Sequence, residues 1–565
     1  MFNFNRLVYL ISYVIISFSC LSPLVVNAYM PPLGIPNPFI DPNISRPQRP
    51  SNWDHEIPGY YYVDFEKGTD SGRTYGYPAA PKKTLPRPIP PGSFIELHGR
   101  YNSGQGGVIH FEGYGTSDQW QPNACGPVWI VGANENSMPL VGPLKTVVYG
   151  KYIFIENIKF SRLQIGSPAI GFKAEHILVR NSVMRGDAKS RWNGITISGS
   201  NDAPLYDIII FKNIIYNYGD INTSQDQDAC GIYVSAYTGY VWILKNKVYE
   251  CSGSGIFAGG QWNENPKNTH HIFIGRNEVY NVRQSGIWVK NGEDIIFSQN
   301  YVHDIIDTSW SPSKGLGAQY GPVRLWILFN RVERVRYGVR IASTSENRHT
   351  QIAIIGNVIS DAHHIYGSYT GGSWGDAGIH IAGGDEVYII NNTVFNSDAG
   401  INISGFKKYY LVNNIIANIT EKAGNHIYVE NALQSTIISN CILFQIDNKV
   451  RIKWGSRLYS ENIQNINSHI SNIIISDPLL KSDLSLKPSS PAIDNGINPQ
   501  QLDLNIFDRF FSLYDINITV DFNGVVRPQG NAWDIGAFEF KYDNQNDNND
   551  SIPPESPKKL RVKIY

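Results

Sequence analysis

Aligning the segments of form Gly-Ile-x-Ile-x at Gly194, Gly231, Gly255, Gly286, Gly315, Gly338, Gly378 and Gly400 lines up two rows of residues with chemistry in them. In a strand the aliphatics of such a segment face one way and the x positions the other. The first x row reads Thr196, Tyr233, Phe257, Trp288, Gly317, Arg340, His380, Asn402, and the second reads Ser198, Ser235, Gly259, Lys290, Gln319, Ala342, Ala382, Ser404. Burial and a neighbouring cation disfavour an ammonium, so Lys290, with Arg340 two repeats on, has the setting of a general base. An arginine holds a carboxylate with two parallel hydrogen bonds, which suits Arg340 as a clamp. Tyr233, Phe257 and Trp288 offer aromatic surface to the apolar side of sugar rings, with Gln319 beside them as a polar contact. His380 or Tyr233 is left to protonate a leaving oxygen or to orient the others. The combination points to proton abstraction beside a carboxylate on an acidic sugar chain. The competing reading is that segments 260–270, 307–322 and 360–376 fold over this face and bury its aromatics as a satellite core.

Carboxylates gather elsewhere. Asp226 and Asp228, with Asp220 nearby, sit between Asn213 and Gly231 and are the candidate ligands for calcium, a hard cation that takes oxygen donors. The alternative is a solvated acidic loop, since no EF-hand or nonapeptide calcium pattern accompanies them. His303-Asp304 and His363-His364 follow strands and read as surface groups. Glycoside hydrolysis by paired carboxylates is disfavoured, because no outward Asp/Glu pair falls in the aligned rows.

The elements that must carry these rows are repeated. An apolar strand ending in Asn recurs eleven times, at Asn157, Asn181, Asn213, Asn246, Asn277, Asn300, Asn330, Asn357, Asn392, Asn414 and Asn440, with spacings of 22 to 35 residues. After most copies comes x-Val/Ile-x, and the Gly-Ile segment follows. Two or three short strands per repeat, joined by Gly, Asn and Asp turns, predict an all-β solenoid. Its stacked asparagines would bond to the copies above and below at about 4.8 Å.

Composition agrees. The 565 residues carry 48 Lys plus Arg against 49 Asp plus Glu, with only 17% charged, which excludes a polybasic nucleic-acid binder. A hydrophobic content of 42% excludes a disordered chain, and 51 Gly with 32 Pro favour strands and turns over helices. Residues 1–28 read as a signal peptide ending Val26-Asn27-Ala28, so that the mature chain begins at Tyr29; a membrane anchor is the competing reading, and no later segment is long and apolar enough to span. Residues 29–57 read as a Pro-rich linker and 541–565 as an Asn/Asp-rich tail. Without Cys20, four cysteines remain: Cys230 and Cys251 could bridge, or Cys125, Cys230, Cys251 and Cys441 are free thiols.

The strand-Asn repeat, the entry Tyr61-Tyr62-Val63-Asp64 to Gly68-Thr69-Asp70, and the closing Asp477-Pro478, Ser490-Pro491-Ala492-Ile493-Asp494 and Asp534-Ile535-Gly536-Ala537-Phe538-Glu539 together resemble secreted proteins of the pectate-lyase-like superfamily. The resemblance covers residues 58–540 and implies a right-handed parallel β-helix of about 11 or more coils with an N-terminal cap and a closing segment. That superfamily holds lyases, hydrolases, epimerases, esterases and noncatalytic adhesins, so the fold is implied more firmly than the substrate. Its lyases use a Lys or Arg base with calcium or a cationic neutraliser, which implies Lys290 as base and Arg340 as clamp. The RxPxxR stretch of the main pectate lyase family is absent, as are the Asn-Thr-Asp, Gly-His-Gly and Arg-Ile-Lys motifs of polygalacturonases. The expectation is therefore a secreted or periplasmic, monomeric polysaccharide lyase acting on a pectate- or alginate-like uronate polymer. The alternatives are a noncatalytic glycan-binding β-helix and a uronan C5-epimerase, with no nucleic acid and no membrane as partner after signal removal.

Overall fold

The computed structural model describes residues 29–542 except 102–107, 118, 143–144, 190, 224, 261–262, 309–310, 343–349, 365–375, 406–407, 422–423, 432–434, 448, 461–462 and 464–468. The expected signal peptide and nearly all of the expected tail lie outside the described residues.

One coil shows how the sequence makes the fold. Ile232–Val234 runs in the first sheet, Thr238–Leu244 in the second and Lys247–Cys251 in the third, after which Ile256–Gly259 returns to the first, beside Ile232–Val234. Ile232, Val234, Val241, Ile243, Val248 and Cys251 are fully buried, each aliphatic contributing roughly 1.5–3 kcal/mol of transfer free energy. Repetition of this coil produces a parallel β-helix. The third sheet stacks 13 strands among the described residues. The first and second form one hydrogen-bonded set, because the long strand Lys145–Glu156 pairs with Leu163–Ile165 through one part and with Ala174–Arg180 through another. The recurring glycine of Gly-Ile has a steric cause. A Cβ there would lie 2.3 Å from Val248 at Gly231, 2.3 Å from Val279 at Gly255 and 2.2 Å from Val302 at Gly286, so the inside corner admits no side chain.

The asparagine ladder exists, with one change of phase. Asn246 Oδ1 accepts the Asn213 backbone N–H at 2.9 Å and its Nδ2 at 3.1 Å, while Asn246 Nδ2 donates to Ile210 O at 2.8 Å and to Asn277 Oδ1 at 3.0 Å. The same pattern continues through Asn300, Asn330, Asn357 and Asn392 to Asn414. Asn157, Asn181 and Asn440, expected in the ladder, stand one residue earlier, with φ of 58, 49 and 51°. Ser182 and Cys441 take the ladder positions, as the pairing of Val183 with Ile214 and of Ile415 with Ile442 requires. Each turn thus needs a left-handed residue and then a ladder residue, and asparagine is suited to both.

The second sheet turns apolar side chains outward as well as inward. Trp129, Phe154, Leu178, Ile209, Trp242, Phe273, Ile296, Trp326 and Ala353 follow one another in register and are all buried. Two terminal segments cover them. Residues 29–57, expected as a linker, instead lie along this face with Ile35, Ile40 and Trp53 buried, held by Trp242 Nε1 to Pro36 O at 2.9 Å and Arg180 Nη1 to Pro42 O at 2.8 Å. Proline content signalled an extended path here and gave no sign of the apolar row beneath it. The closing segment adds the α-helix Ile506–Tyr514, whose Phe510 meets Trp326 at 4.7 Å, edge to face. The four cysteines among the described residues are free thiols, so the Cys230–Cys251 bridge is not made.

Replacing one ladder residue tests the fold directly. Asn300→Ala strips two acceptor and two donor contacts from the interior, so the unfolding midpoint should fall by the equivalent of about 2 kcal/mol or more. Asn181→Gly keeps the left-handed turn and should change stability by less than about 1 kcal/mol. Equal losses in denaturant melts would contradict the phase assigned above.

Candidate functional site

With the second sheet covered, the first sheet carries the outward polar rows. The pairings Thr196–Tyr233, Tyr233–Phe257, Phe257–Trp288, Trp288–Gly317, Gly317–Arg340, Arg340–His380 and His380–Asn402 put the first x row in register, and Gly259–Lys290–Gln319 do so for the second. A third outward row, not read from the sequence, is formed by the residues just before the recurring glycines. It includes Ser285, Lys314 and Tyr337, which pair across successive strands.

The aromatics do not all present their faces. Tyr233 and Phe257 stack on each other, 5.0 Å apart and 4° from parallel, so each uses a face on its neighbour and turns an edge outward. Trp288 is only 6% exposed, and a Cβ on Gly317 would come within 2.8 Å of its ring; the missing side chain at Gly317 is what lets the indole lie there. Lys290 Nζ stands 5.7 Å from the ring centres of both Phe257 and Tyr320.

Charge is distributed unevenly over this surface. Arg336 is neutralised, with Nε on Asp376 at 2.5 Å and Nη1 3.6 Å from the buried Asp307. Arg340 instead lies over the Tyr337 ring at 4.6 Å, and its buried Nε makes no hydrogen bond among the described residues. Neither Arg340 nor Lys290 has a carboxylate partner among the described residues. Lys314 is buried, with Nζ donating to Ser311 Oγ at 2.9 Å and Pro312 O at 2.7 Å, and lying 5.5 Å from the Trp288 ring centre. Desolvation first, and then the field of Arg340, lowers its pKa from 10.5 to about 7, with Arg336 and Lys290 acting in the same direction. A lysine depressed by burial and cations is what the sequence reading looked for at Lys290. Lys314 has that setting, in a row whose residue types share no pattern.

His380 lies inside the surface. It is 1% exposed, and burial with the Arg340 charge lowers its pKa to about 3, so it stays neutral and cannot act as the imidazolium acid allowed for above. It stands 5.5 Å from the Tyr337 ring, behind Arg340 in the row, which leaves it an orienting place. Tyr233, the other candidate, has its pKa raised by burial and so keeps its proton. Tyr337 is likewise raised, to about 12, by burial and by Asp376.

Asp226 and Asp228 come together, both accepting from Gln284 Nε2, at 3.2 and 2.7 Å. An amide donor therefore sits between the two carboxylates. They belong to no group of three His, Cys, Asp or Glu with converging ligand atoms among the described residues. Calcium takes six to eight oxygens, and this pair, bridged by an N–H donor, does not fit it. Segments 260–270 and 307–322 contribute Glu264, whose charge reaches Tyr233, and Tyr320 beside Lys290. Most of 360–376 is outside the described residues.

Residues 230–464 match the family model described as "Right handed beta helix region". Comparison with curated proteins gives no match. Among solved structures, the chain is similar to a mannuronic acid specific polysaccharide family 6 lyase from human gut microbiota, at 14% identity over 74% of this chain and 91% of that one, with a TM-score of 0.44. Pectate lyase Pel9A gives 14% identity over 85% and 96%, with a TM-score of 0.36. The A-module of a mannuronan C-5 epimerase from Azotobacter vinelandii gives 14% over 62% and 86%, with a TM-score of 0.30. The register of the strands and the family match together define a right-handed parallel β-helix.

The depressed lysine makes stability depend on pH. Between about 7 and 10.5 Lys314 is neutral in the fold and charged in the unfolded chain, which therefore binds more protons. The contribution of this group thus rises with pH across that window and is lost as pH falls toward 7. Lys314→Met should melt at a higher temperature than the parent at pH 7, with the gain shrinking toward pH 10. A gain independent of pH would refute the neutral buried amine.

Proposed function

We propose that the groove of the first sheet binds an acidic polysaccharide and cleaves it by β-elimination. The observation that carries this reading is the set of cations without carboxylate partners among the described residues, Lys290 and Arg340 beside the buried Lys314, next to Trp288. Unpaired cations in a partly desolvated groove are costly unless an anion completes them, and a uronate chain brings one carboxylate per sugar.

In this reading Arg340 holds the uronate carboxylate, which acidifies the proton on C5. Lys290 takes that proton, the C4–O bond breaks with formation of a C4=C5 double bond, and the leaving oxygen acquires a proton from water in the groove, because Tyr233 stands four strands from Arg340, about 19 Å along the sheet, and is out of reach. No step is routed through calcium. Export fits a polymer substrate and the apolar run of residues 1–28, and no helix among the described residues is long and apolar enough to cross a membrane. The noncatalytic reading is favoured by one observation, the mutual stacking of Tyr233 and Phe257, which is equally at home on a passive surface. The C5-epimerase reading shares the proton abstraction and differs in product.

The test is near-ultraviolet absorbance of residues 29–565 with polygalacturonate and with alginate, each with calcium and with chelator. An unsaturated-uronate signal is expected, with kcat falling about 100-fold or more in Lys290→Ala and KM rising in Arg340→Ala. A flat trace with retained glycan binding would establish the noncatalytic reading, and a changed C5 configuration without cleavage the epimerase.

A further inference from the structure

A kink in the second-sheet strands assembles another constellation, away from the groove. The residue at the kink has positive φ in successive coils: Tyr152 at 49°, His176 at 56°, Asp207 at 58°, Tyr240 at 54°, His271 at 53° and Asp294 at 56°. The pairings on either side stack these six one above another. The column therefore reads Tyr-His-Asp twice, and both copies are built alike. Tyr152 stacks on His176 at 4.3 Å, and Tyr240 on His271 at 4.5 Å. His176 Nε2 lies 3.6 Å from Asp207 Oδ2, and His271 Nε2 lies 4.0 Å from Asp294 Oδ2.

The copies differ in what neutralises them. In the second, Arg324 on the next coil grips Asp294 through Nε at 2.5 Å and Nη2 at 2.8 Å and also pairs with Glu293, while Tyr514 donates to Asp294 at 3.0 Å. In the first, Asp207 has no Lys or Arg partner among the described residues and meets only His176. Glu175 adds a second carboxylate, with Oε1 3.4 Å from His176 Nδ1 and Oε2 paired to Lys151 at 2.9 Å. His176 Nδ1 is buried without a hydrogen-bond partner among the described residues. One ligand atom from each of Glu175, His176 and Asp207 lies within 4.8 Å of the other two. The 3.4 and 3.6 Å contacts run to opposite ring nitrogens, of which an ion takes one, so the site is defined by the mutual 4.8 Å limit on three ligand atoms and closes on an ion by small side-chain rotations to ligand separations of roughly 3.3 Å. The imidazole is held in place by Tyr152 on one side and by Phe39, edge-on at 4.9 Å, on another. The three side chains are 20 to 37% exposed, so an ion can reach them.

We propose that Glu175, His176 and Asp207 bind a divalent ion of the zinc class, joining two consecutive coils. An imidazole with two carboxylates suits Zn²⁺ and its neighbours, and the nitrogen donor counts against calcium and magnesium.

Calorimetric titration of residues 29–565 with ZnCl₂, and separately with CaCl₂, tests this. One equivalent of Zn²⁺ should bind, with affinity reduced at least about tenfold in Asp207→Asn and in His176→Gln. His271→Gln, in the copy that Arg324 already neutralises, should bind as the parent does. Melting curves in chelator identify any variant that has lost its fold, and Asp207→Asn preserves shape closely enough to remain informative. Absence of Zn²⁺ binding, binding undiminished in Asp207→Asn, or equal uptake of Ca²⁺ would each overturn the proposal.

Discussion

Everything outward-facing in this molecule depends on the register that the buried asparagine column enforces. Each ladder amide meets the coils on both sides, its oxygen accepting and its nitrogen donating. In an interior of low dielectric an amide out of phase by one residue would leave those groups unpaired, so slippage between coils is strongly disfavoured. The glycine corner imposes a second condition, because only a residue without a side chain passes the β-branched residue of the third sheet. Together they keep residues far apart in sequence in straight columns.

The columns explain what was legible from sequence. Two of the three rows of the groove could be written down because their alternation with buried Ile and Val is strict. The row holding Lys314 and Tyr337 was missed because its members precede the glycine and share no chemical type. The phase of Asn181 and Asn440 was misread for a related reason, since the left-handed turn residue and the ladder residue both favour asparagine and stand side by side. The burial of His380 and the docking of residues 29–57 come from neighbours distant in sequence, and no local periodicity reports them.

The groove and the kink column apply one electrostatic rule in different settings. Where a coil supplies an arginine and acids in reach of each other, as with Arg336 and Asp376 or Arg324 and Asp294, charge is settled within the protein. Where no carboxylate among the described residues meets an arginine, as at Arg340, or where an acid meets a histidine and no Lys or Arg among them, as at Asp207, the fold leaves a charge for something else to complete. Register determines which coils are paired in this way and which are left open.

A stack of coils in which each touches only its neighbours would normally open from either end, one turn at a time. Here Leu33 accepts from Ser298 through its carbonyl and donates to Gln299 through its N–H, and a Cβ on the adjoining Gly34 would lie 3.3 Å from Phe510 and 3.2 Å from Ile518. The beginning and the end of the described chain therefore meet on one flank, midway along the stack, like a belt fastened over a coil. Fraying of the first or last turn is coupled to release of that fastening, which turns a linear array into a closed loop of contacts whose parts share a common resistance to opening.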